Sequence, residues 1–358
     1  MKQLNIMLKP ASSMCNLRCR YCFYADESSH RNTPNYGIMA KETAQRVIES
    51  IYKDLNDGDR ITFAFQGGEP TLAGLSFFEH FVGKVKEQPR KVDVSYALQT
   101  NGIAIDETWC DFFKNENFLV GLSLDGYAEL HNACRVDSKG IGTYSHAINA
   151  KRLFDKYKLD YNILTVLTSE AARNPQKVWQ FIQSENIKYI QFIPCLKGLD
   201  EDEDDHSISP KEFYRFYKAI LPEWKAAADS GQYVSVKFLE DMNDLLQYGQ
   251  STACGMNGRC SPQFVVESDG SVYPCDFYCT DEHLIGNLTQ ISIRQAFESQ
   301  VSIEFRADAG KASPTCSSCG FRRICNGGCK RQRSAMCTDS NGFCGFRELL
   351  NSINGLRM

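Results

Sequence analysis

The stretch CNLRCRYC, residues 15–22, follows a short apolar run that begins at residue 3. It places three cysteines within eight positions at the spacing C-x3-C-x2-C. A structural zinc site has four protein ligands, usually two C-x2-C pairs or cysteines joined by histidines. The nearest histidine, His30, does not complete such a pattern. Three thiolates instead suit a 4Fe–4S cluster whose fourth iron is left open to a small molecule.

The overall composition limits where the protein acts and what it binds. The chain has 358 residues, 42% of them hydrophobic, which is enough for one large domain or two ordinary ones. Its formal net charge of -4 argues against nucleic acid as a partner. No apolar run reaches the length of a membrane span, and the first residues are too interrupted for a signal peptide. We therefore expect a cytoplasmic protein with no nucleic-acid or membrane partner.

The 16 cysteines are many for a chain of this length. Eight disulfides would use them all, but disulfides are rare in a reducing cytoplasm. Clustered thiols in an intracellular protein more often bind metal. We therefore interpret the cysteine clusters as ligands of metal or of iron–sulfur centres.

Between residues 4 and 193, short β-rich runs alternate with amphipathic segments of helical period. Such alternation is typical of parallel strands joined by crossover helices. Six strands in this order predict an α/β fold, a partial (β/α)6 TIM-like barrel. The predicted strands cover residues 4–8, 61–65, 92–98, 119–124, 161–167 and 189–193, and the predicted helices cover residues 41–55, 75–86, 106–115, 144–157, 175–185 and 210–228.

The character of the chain changes towards its end. An acidic run at residues 200–205 predicts a solvated surface loop. Ten cysteines lie between Cys254 and Cys344, and little apolar periodicity is visible after Cys254. We therefore predict a barrel domain over residues 1–235. A small iron–sulfur domain over residues 236–358 would be held together by metal more than by a core.

Polar loops follow three of the predicted strands in order. They are GGEP at residues 67–70, QTNG at 99–102 and SLDG at 123–126, and the stretch HNACR then ends at Arg135. Parallel barrels build their active sites where strands end. These loops and the cysteine motif are therefore expected to meet in one site.

Together, CNLRCRYCFY and these loops resemble the radical S-adenosylmethionine enzymes. The resemblance implies that S-adenosylmethionine completes the open iron and yields a 5′-deoxyadenosyl radical. It also implies that Cys15, Cys19 and Cys22 hold the first cluster. The alternative to S-adenosylmethionine contact is structural: Ser123 would be a turn residue, Arg135 a surface charge and Leu196 a core residue. The residues implied to contact S-adenosylmethionine are Tyr21, Gly68, Ser123, Arg135 and Leu196.

The C-terminal cysteines resemble the SPASM-type extension of radical enzymes that modify peptides. By that resemblance, two auxiliary 4Fe–4S clusters bring the total to three, although two zinc sites would also satisfy eight thiolates. The first auxiliary set is Cys254, Cys260, Cys275 and Cys329, and the second is Cys316, Cys319, Cys325 and Cys344. Buried free thiols are expected at the remaining five positions, Cys110, Cys134, Cys195, Cys279 and Cys337. The alternative is that Cys279 or Cys337, which lie within the cysteine-rich region, replaces one of the assigned ligands.

Longer stretches, including LKPASS before Cys15, FAFQGGEPTLAGL and FVVESDGSVYPCDFY, resemble the anaerobic sulfatase-maturating enzymes. The implied reaction oxidises a Cys or Ser residue of an unfolded sulfatase segment to Cα-formylglycine after removal of a Cβ hydrogen. Asp276, next to Cys275, is implied as the catalytic base. An electron donor such as flavodoxin or ferredoxin and a monomeric state are also expected.

Two other functions remain open at the level of sequence. A radical maturase of a ribosomally made peptide would form a thioether or carbon–carbon crosslink. Many such enzymes carry an N-terminal peptide-binding domain, for which a first strand at residue 4 leaves no room. An electron carrier with three clusters would not need Ser123, Arg135 or the GGEP loop.

Overall fold

The computed structural model of the protein describes residues 2–200, 205–308, 310 and 312–355. All six predicted strands form, with ends shifted by no more than two residues. They alternate with helices as expected, and four shorter strands follow. In chain order the strands are β1 Gln3–Leu8, β2 Arg60–Phe65, β3 Asp93–Thr100, β4 Phe118–Ser123, β5 Tyr161–Leu167, β6 Tyr189–Pro194, β7 Ser235–Val236, β8 Val265–Val266, β9 Ser271–Tyr273 and β10 Gly286–Asn287.

These strands form one sheet in the order β10-β9-β8-β1-β2-β3-β4-β5-β6-β7. The run from β8 through β1 to β7 is parallel, whereas the β8–β9 and β9–β10 pairs are antiparallel. Strand β1 is internal, so that Leu8 at its end lies opposite Phe65 on one side and Val266 on the other. The α/β class with a partial barrel of six principal parallel strands is therefore confirmed.

The predicted helices also form, and those at residues 75–86 and 144–157 have the predicted ends. The prediction missed α1, α5 and α7, which have only five to seven residues each, and every helix after residue 236. The helices are α1 Phe23–Ser29, α2 Lys41–Tyr52, α3 Leu75–Lys86, α4 Glu107–Asn115, α5 Ala128–Cys134, α6 Tyr144–Tyr157, α7 Ser169–Arg173, α8 Pro175–Ser184, α9 Pro210–Asp229, α10 Lys237–Tyr248, α11 Ile293–Glu298, α12 Gln300–Ala307, α13 Arg322–Cys325, α14 Arg333–Met336 and α15 Gly345–Gly355.

Aromatic side chains fill the space between the sheet and the helices outside it. The ring of Phe65 lies 5.0 Å from those of Phe78 and Phe81 on α3, in edge-to-face geometry. On the same strand, Phe63 is fully buried. Such pairs add to the free energy gained by burying apolar area. The packing fixes β2, and with it the GGEP loop that follows.

The C-terminal segment contributes more to the core than its sequence suggested. Helix α15 buries Phe346, Leu349, Leu350 and Ile353, which have the i, i+3, i+4, i+7 spacing of an amphipathic helix. The expectation of little apolar periodicity was wrong there. Strands β8 and β9 form a hairpin before Cys275 and continue the barrel sheet through β1. The boundary between residues 235 and 236 stays a prediction.

All 16 cysteines lie in the described part of the chain, and each is free of a disulfide, as expected. The five that were assigned no ligand role are buried. Of the acidic run, residues 201–204 lie outside the described residues, while Asp200 is exposed and its carboxylate is 3.0 Å from His30 Nε2. Within the described ranges, the helices are too short or too polar to cross a bilayer.

Candidate active site

The loop between β1 and α1 carries the three cysteines of the first motif. Its backbone is held by the end of α5 and the segment that follows. The Arg20 amide donates to the Cys134 carbonyl at 3.1 Å, and the Arg18 amide donates to the Val136 carbonyl at 2.7 Å. The Leu17 amide donates to Cys15 Sγ at 3.3 Å. Cys15, Cys19 and Cys22 consequently border the same cavity.

The surroundings of these thiols fit a positively charged metal centre. Burial raises the pKa of Cys15 to about 12 and that of Cys19 to about 11, so without a cation both would stay protonated at neutral pH. Thiolates are the usual ligands of iron–sulfur clusters. A cluster would compensate for the desolvation that this loop imposes. A fourth cysteine, Cys195, borders the cavity from the end of β6 and is buried.

The predicted S-adenosylmethionine contacts meet at this cavity, which has about 910 Å³ of empty space including its open mouth. They come from the carboxyl ends of β1, β2, β4 and β6 or from the segments that follow, as expected of a parallel barrel. Their roles stay predictions, but the structure brings the whole set together with the cysteine motif. The set comprises Tyr21, Gly68, Ser123, Arg135 and Leu196.

Arg135 is held by a carboxylate that the sequence analysis did not single out. Its Nε donates to Asp125 Oδ2 at 2.9 Å, and the Tyr21 hydroxyl donates to the same oxygen. The other oxygen, Oδ1, accepts the Val166 amide at 2.9 Å. Asp125 is the third residue of the SLDG loop, and its place directly after a buried strand was the available signal. It orients Arg135 so that the guanidinium borders the cavity.

Within the GGEP loop, Glu69 ties two strands' loops together. Its carboxylate accepts hydrogen bonds from the Thr71 amide and hydroxyl, from the Thr100 hydroxyl at 2.8 Å and from the Asn101 amide at 2.8 Å. Burial raises the pKa of Glu69, although these donors oppose the shift. Because QTNG contains Thr100 and Asn101, these hydrogen bonds connect the loop after β2 to the end of β3.

Gly68 lies against the cysteine loop at a distance that excludes any side chain. A Cβ atom at this position would lie 2.0 Å from the Met14 carbonyl oxygen. The Gly68 amide also donates to the Ser12 carbonyl at 2.9 Å. The glycine therefore lets the GGEP loop and the cysteine loop approach backbone to backbone.

A second cavity lies inside the barrel and adjoins the first. Both are bordered by Phe23, Tyr24, Gln66 and Phe277. The cysteines predicted for the first auxiliary cluster, and also Asp276, lie on its walls. Those cysteines are Cys254, Cys260, Cys275 and Cys329.

A third, smaller cavity is bordered by the cysteines predicted for the second auxiliary cluster. Cys337 borders it too, and its thiol donates to the Gly327 carbonyl at 3.3 Å. The structure thus groups the eight cysteines as predicted, while their roles as ligands stay predictions. The members of the predicted set are Cys316, Cys319, Cys325 and Cys344.

Asp276 begins the 3-10 turn Asp276–Tyr278 and is buried. Its Oδ2 accepts the Tyr24 hydroxyl at 2.7 Å, and its Oδ1 lies 3.4 Å from Lys9 Nζ. Gln66 Oε1 lies 3.2 Å from the same tyrosine hydroxyl. Lys9 and Tyr24 were not predicted as site residues, although both occur in stretches that carried the family resemblance.

Comparison with known proteins identifies the family. The chain is 40% identical to the cysteine-type anaerobic sulfatase-maturating enzyme of Clostridium perfringens over 100% of both sequences. The protein belongs to the anaerobic sulfatase-maturating enzymes. Residues 10–181 match the Radical SAM superfamily, and residues 254–320 match SPASM, an iron–sulfur cluster-binding domain. The predicted family is therefore confirmed.

Other members of the sulfatase-maturating family are less similar in sequence or have been solved with ligands. The serine-type enzyme of Klebsiella pneumoniae is 29% identical over 99% of this chain and 91% of its own. The structure of native anSMEcpe with bound AdoMet superimposes with a TM-score of 0.89 at 40% identity, covering 98% of this chain and 95% of that one. A further structure of anSMEcpe holds both AdoMet and the Cp18Cys peptide, with a TM-score of 0.88.

We predict that Gly68→Ala disables the site without unfolding the barrel. The added methyl group must push the cysteine loop away from the GGEP loop, and a shift of about 1 Å can cost about 100-fold in rate. The rate of 5′-deoxyadenosine formation from S-adenosylmethionine should fall by about that factor.

Gly83→Ala is the matched control, because nothing lies within 4 Å of a Cβ at this position on α3. It should retain the wild-type rate. A Gly68→Ala enzyme with normal S-adenosylmethionine cleavage would show that the close approach of the two loops is dispensable.

Proposed function

We propose that this protein oxidises a cysteine residue in an extended sulfatase segment to Cα-formylglycine. The observation that carries the proposal is the shared wall of the first two cavities, which includes Phe23, Tyr24, Gln66 and Phe277. A peptide in the barrel would lie between the three-cysteine motif and Asp276. Cysteine rather than serine as the target is supported by the higher identity to the cysteine-type relatives.

The residues present fit S-adenosylmethionine and three 4Fe–4S clusters. Cys15, Cys19 and Cys22 would hold the first cluster, and the two sets of four thiols around the second and third cavities would hold the others. When bound, these groups supply reductive cleavage of S-adenosylmethionine to a 5′-deoxyadenosyl radical. They also supply an acceptor for the electron that the substrate loses after its Cβ hydrogen is removed.

The chain's own residues would bind and orient S-adenosylmethionine. Arg135, oriented by Asp125, is placed to pair with a ligand carboxylate. Ser123 offers a hydroxyl at the same cavity, and Leu196 offers an apolar surface for the adenine ring. Gly68 and Tyr21 complete the wall next to the cysteine loop.

The chain must also remove the proton of the target thiol and keep water from the radical. Asp276 is proposed as the base, since its carboxylate borders the barrel cavity and is anchored by the Tyr24 hydroxyl. The rings of Phe23 and Phe277, with centroids 5.1 Å apart, form an apolar wall beside it. Loss of one Cβ hydrogen atom, one electron and one proton converts the cysteine to a thioaldehyde. Water then releases sulfide and leaves the aldehyde.

Each turnover begins with a one-electron reduction, so a reductant is required. We propose a flavodoxin or ferredoxin as the donor and a monomer as the working form. Chemical reduction by dithionite should replace the donor in the assays below. Gel filtration of the reconstituted enzyme tests the monomer.

The iron content should reflect three clusters. We expect about twelve iron atoms per chain after anaerobic reconstitution, and about eight in a variant with Cys15, Cys19 and Cys22 all changed to Ala. That variant should form no 5′-deoxyadenosine. Four irons with bound zinc in the wild-type chain would contradict the auxiliary assignment.

A synthetic peptide with the motif C-x-[AP]-x-R should lose about 18 mass units on anaerobic incubation with S-adenosylmethionine and dithionite. That loss corresponds to replacement of CH2SH by CHO. A serine peptide would instead lose about 2 units. A loss of about 2 units from the cysteine peptide, with no aldehyde-reactive group, would identify a crosslinking maturase and refute formylglycine formation.

Asp276→Asn should separate radical formation from product formation. The amide keeps the size of the side chain but cannot accept the substrate proton. We expect continued S-adenosylmethionine cleavage and a fall in formylglycine of about 100-fold. Liquid chromatography with mass spectrometry measures both products. Product formation at the wild-type rate, with the iron content intact, would place the base elsewhere.

A further inference from the structure

Lys9, in the LKPASS stretch directly after β1, is a completely buried lysine whose ammonium group is surrounded by acidic groups. Its Nζ lies 3.1 Å from Glu27 Oε1, 3.4 Å from Asp276 Oδ1 and 3.7 Å from Glu267 Oε1. Cys279 Sγ is 3.3 Å away. Burial lowers the pKa of Lys9, but Cys279 and the three carboxylates outweigh it and hold the pKa well above its ordinary value. The lysine is therefore a buried cation.

The path of the side chain is built into the fold. A Cβ atom on Gly67 would lie 3.0 Å from Lys9 Cβ and Cγ, so the glycine leaves room for the lysine stem. The ammonium group lies 4.8 Å from the centre of the Tyr24 ring, the same residue that donates its hydroxyl to Asp276. The Lys9 amide also donates to the Val266 carbonyl at 2.8 Å, which ties the residue to the hairpin before Asp276.

The three carboxylates around Lys9 differ in whether they have a second cation nearby. Glu267 has its own cation, because Arg31 Nη1 donates to it at 2.6 Å. Glu27 and Asp276 have no such second cation among the described residues. Asp276 Oδ1 in particular lacks a hydrogen-bond donor there, so the ammonium group supplies its counter-charge. Burial raises the pKa of Glu27, although Lys9 and Arg31 oppose the shift.

A metal ion is a poor alternative occupant of this cluster. Glu27, Asp276 and Cys279 bring three possible ligand atoms within 4.8 Å of one another. However, Lys9 Nζ is already within 3.4 Å of a possible ligand atom on each of the three. The position of a cation among them is taken by the lysine.

Stability alone is a weak reason for such a cluster. Burying charges costs desolvation free energy, and well-packed apolar residues often stabilise a fold as much or more. What the lysine does provide is a second anchor for the Asp276 carboxylate. The Tyr24 hydroxyl holds Oδ2 at 2.7 Å, and Lys9 holds Oδ1 from the side of the GGEP loop. Two anchors on different oxygens leave the carboxylate one orientation.

We propose that Lys9 is a positioning residue that keeps the Asp276 carboxylate turned towards Tyr24 and the barrel cavity. This inference rests on the proposed role of Asp276 in formylglycine formation. Without Lys9 the carboxylate can rotate about its side-chain bonds. Removal of the Cβ hydrogen would then proceed while proton removal becomes inefficient.

The test uses Lys9→Met combined with Glu27→Gln in the full-length reconstituted enzyme. The pair removes one positive and one negative charge, so the net charge of the cluster is unchanged and Glu27 is not left as a carboxylate without its lysine. A cysteine peptide deuterated at Cβ serves as substrate. Deuterium transfer into 5′-deoxyadenosine should continue within about twofold of wild type, while formylglycine per 5′-deoxyadenosine should fall about tenfold or more.

Two further variants separate positioning from general support of the fold. Glu27→Gln alone keeps Lys9 against Asp276 and should retain the wild-type product ratio. The double variant Arg31→Gln/Glu267→Gln removes the neighbouring ion pair from the same cluster and should also retain it, since neither residue contacts Asp276. If the Met variant does not fold, Lys9→Gln is used in its place. This milder replacement should also lower the amount of formylglycine per 5′-deoxyadenosine.

Several outcomes would overturn the proposal. A normal product ratio in Lys9→Met/Glu27→Gln would do so, and so would an equal loss of deuterium transfer and product in both double variants. A crystal structure of the Lys9→Met/Glu27→Gln protein gives a readout independent of activity: Asp276 Oδ2 should lie beyond 3.5 Å from the Tyr24 hydroxyl instead of at 2.7 Å. If wild type makes no formylglycine, the proposed function fails, while that distance still tests the positioning role.

Discussion

The pairing of β1 on both of its sides is the constraint on which the site depends. Its last residue, Leu8, lies opposite Phe65 of β2 and Val266 of β8. Parallel strands end at one edge of a sheet, so the chain that leaves β1 emerges between the GGEP loop and the hairpin before Asp276. The cysteine loop and the glycine that receives it meet for this reason.

Buried charges then set the geometry at this edge of the sheet. Arg135 is fixed by Asp125, Glu69 by donors from two loops, and Lys9 by three carboxylates. Each group is costly to bury and is tolerated only with its partners in place. The walls around S-adenosylmethionine and the target peptide are therefore ordered before either ligand binds, which reduces the entropy lost on binding.

Sequence patterns predicted the fold and much of the site, and their failures have physical causes. Residues 75–86 and 144–157 span several turns, long enough for apolar periodicity to show, and their ends were predicted correctly. Helices α1 and α5 have seven residues each, about two turns, which gives too few positions for a period. Helix α15 does have the period, but it directly follows Cys344 in a region otherwise dominated by cysteine and glycine. The structure places the cysteines of each predicted set around one cavity, and the family resemblance supplied these sets because spacing alone leaves the pairing open.

The sequence by itself determined the alternation of strands and helices and the C-x3-C-x2-C motif, because both depend on side chains a few residues apart. Only the tertiary structure decided which distant groups meet. Asp125 with Tyr21 and Lys9 with Cys279 are separated by 104 and 270 positions in the chain. No local period encodes such contacts. They follow from which strands lie side by side, and the β1–β8 pair brings Lys9 to the hairpin that leads to Asp276.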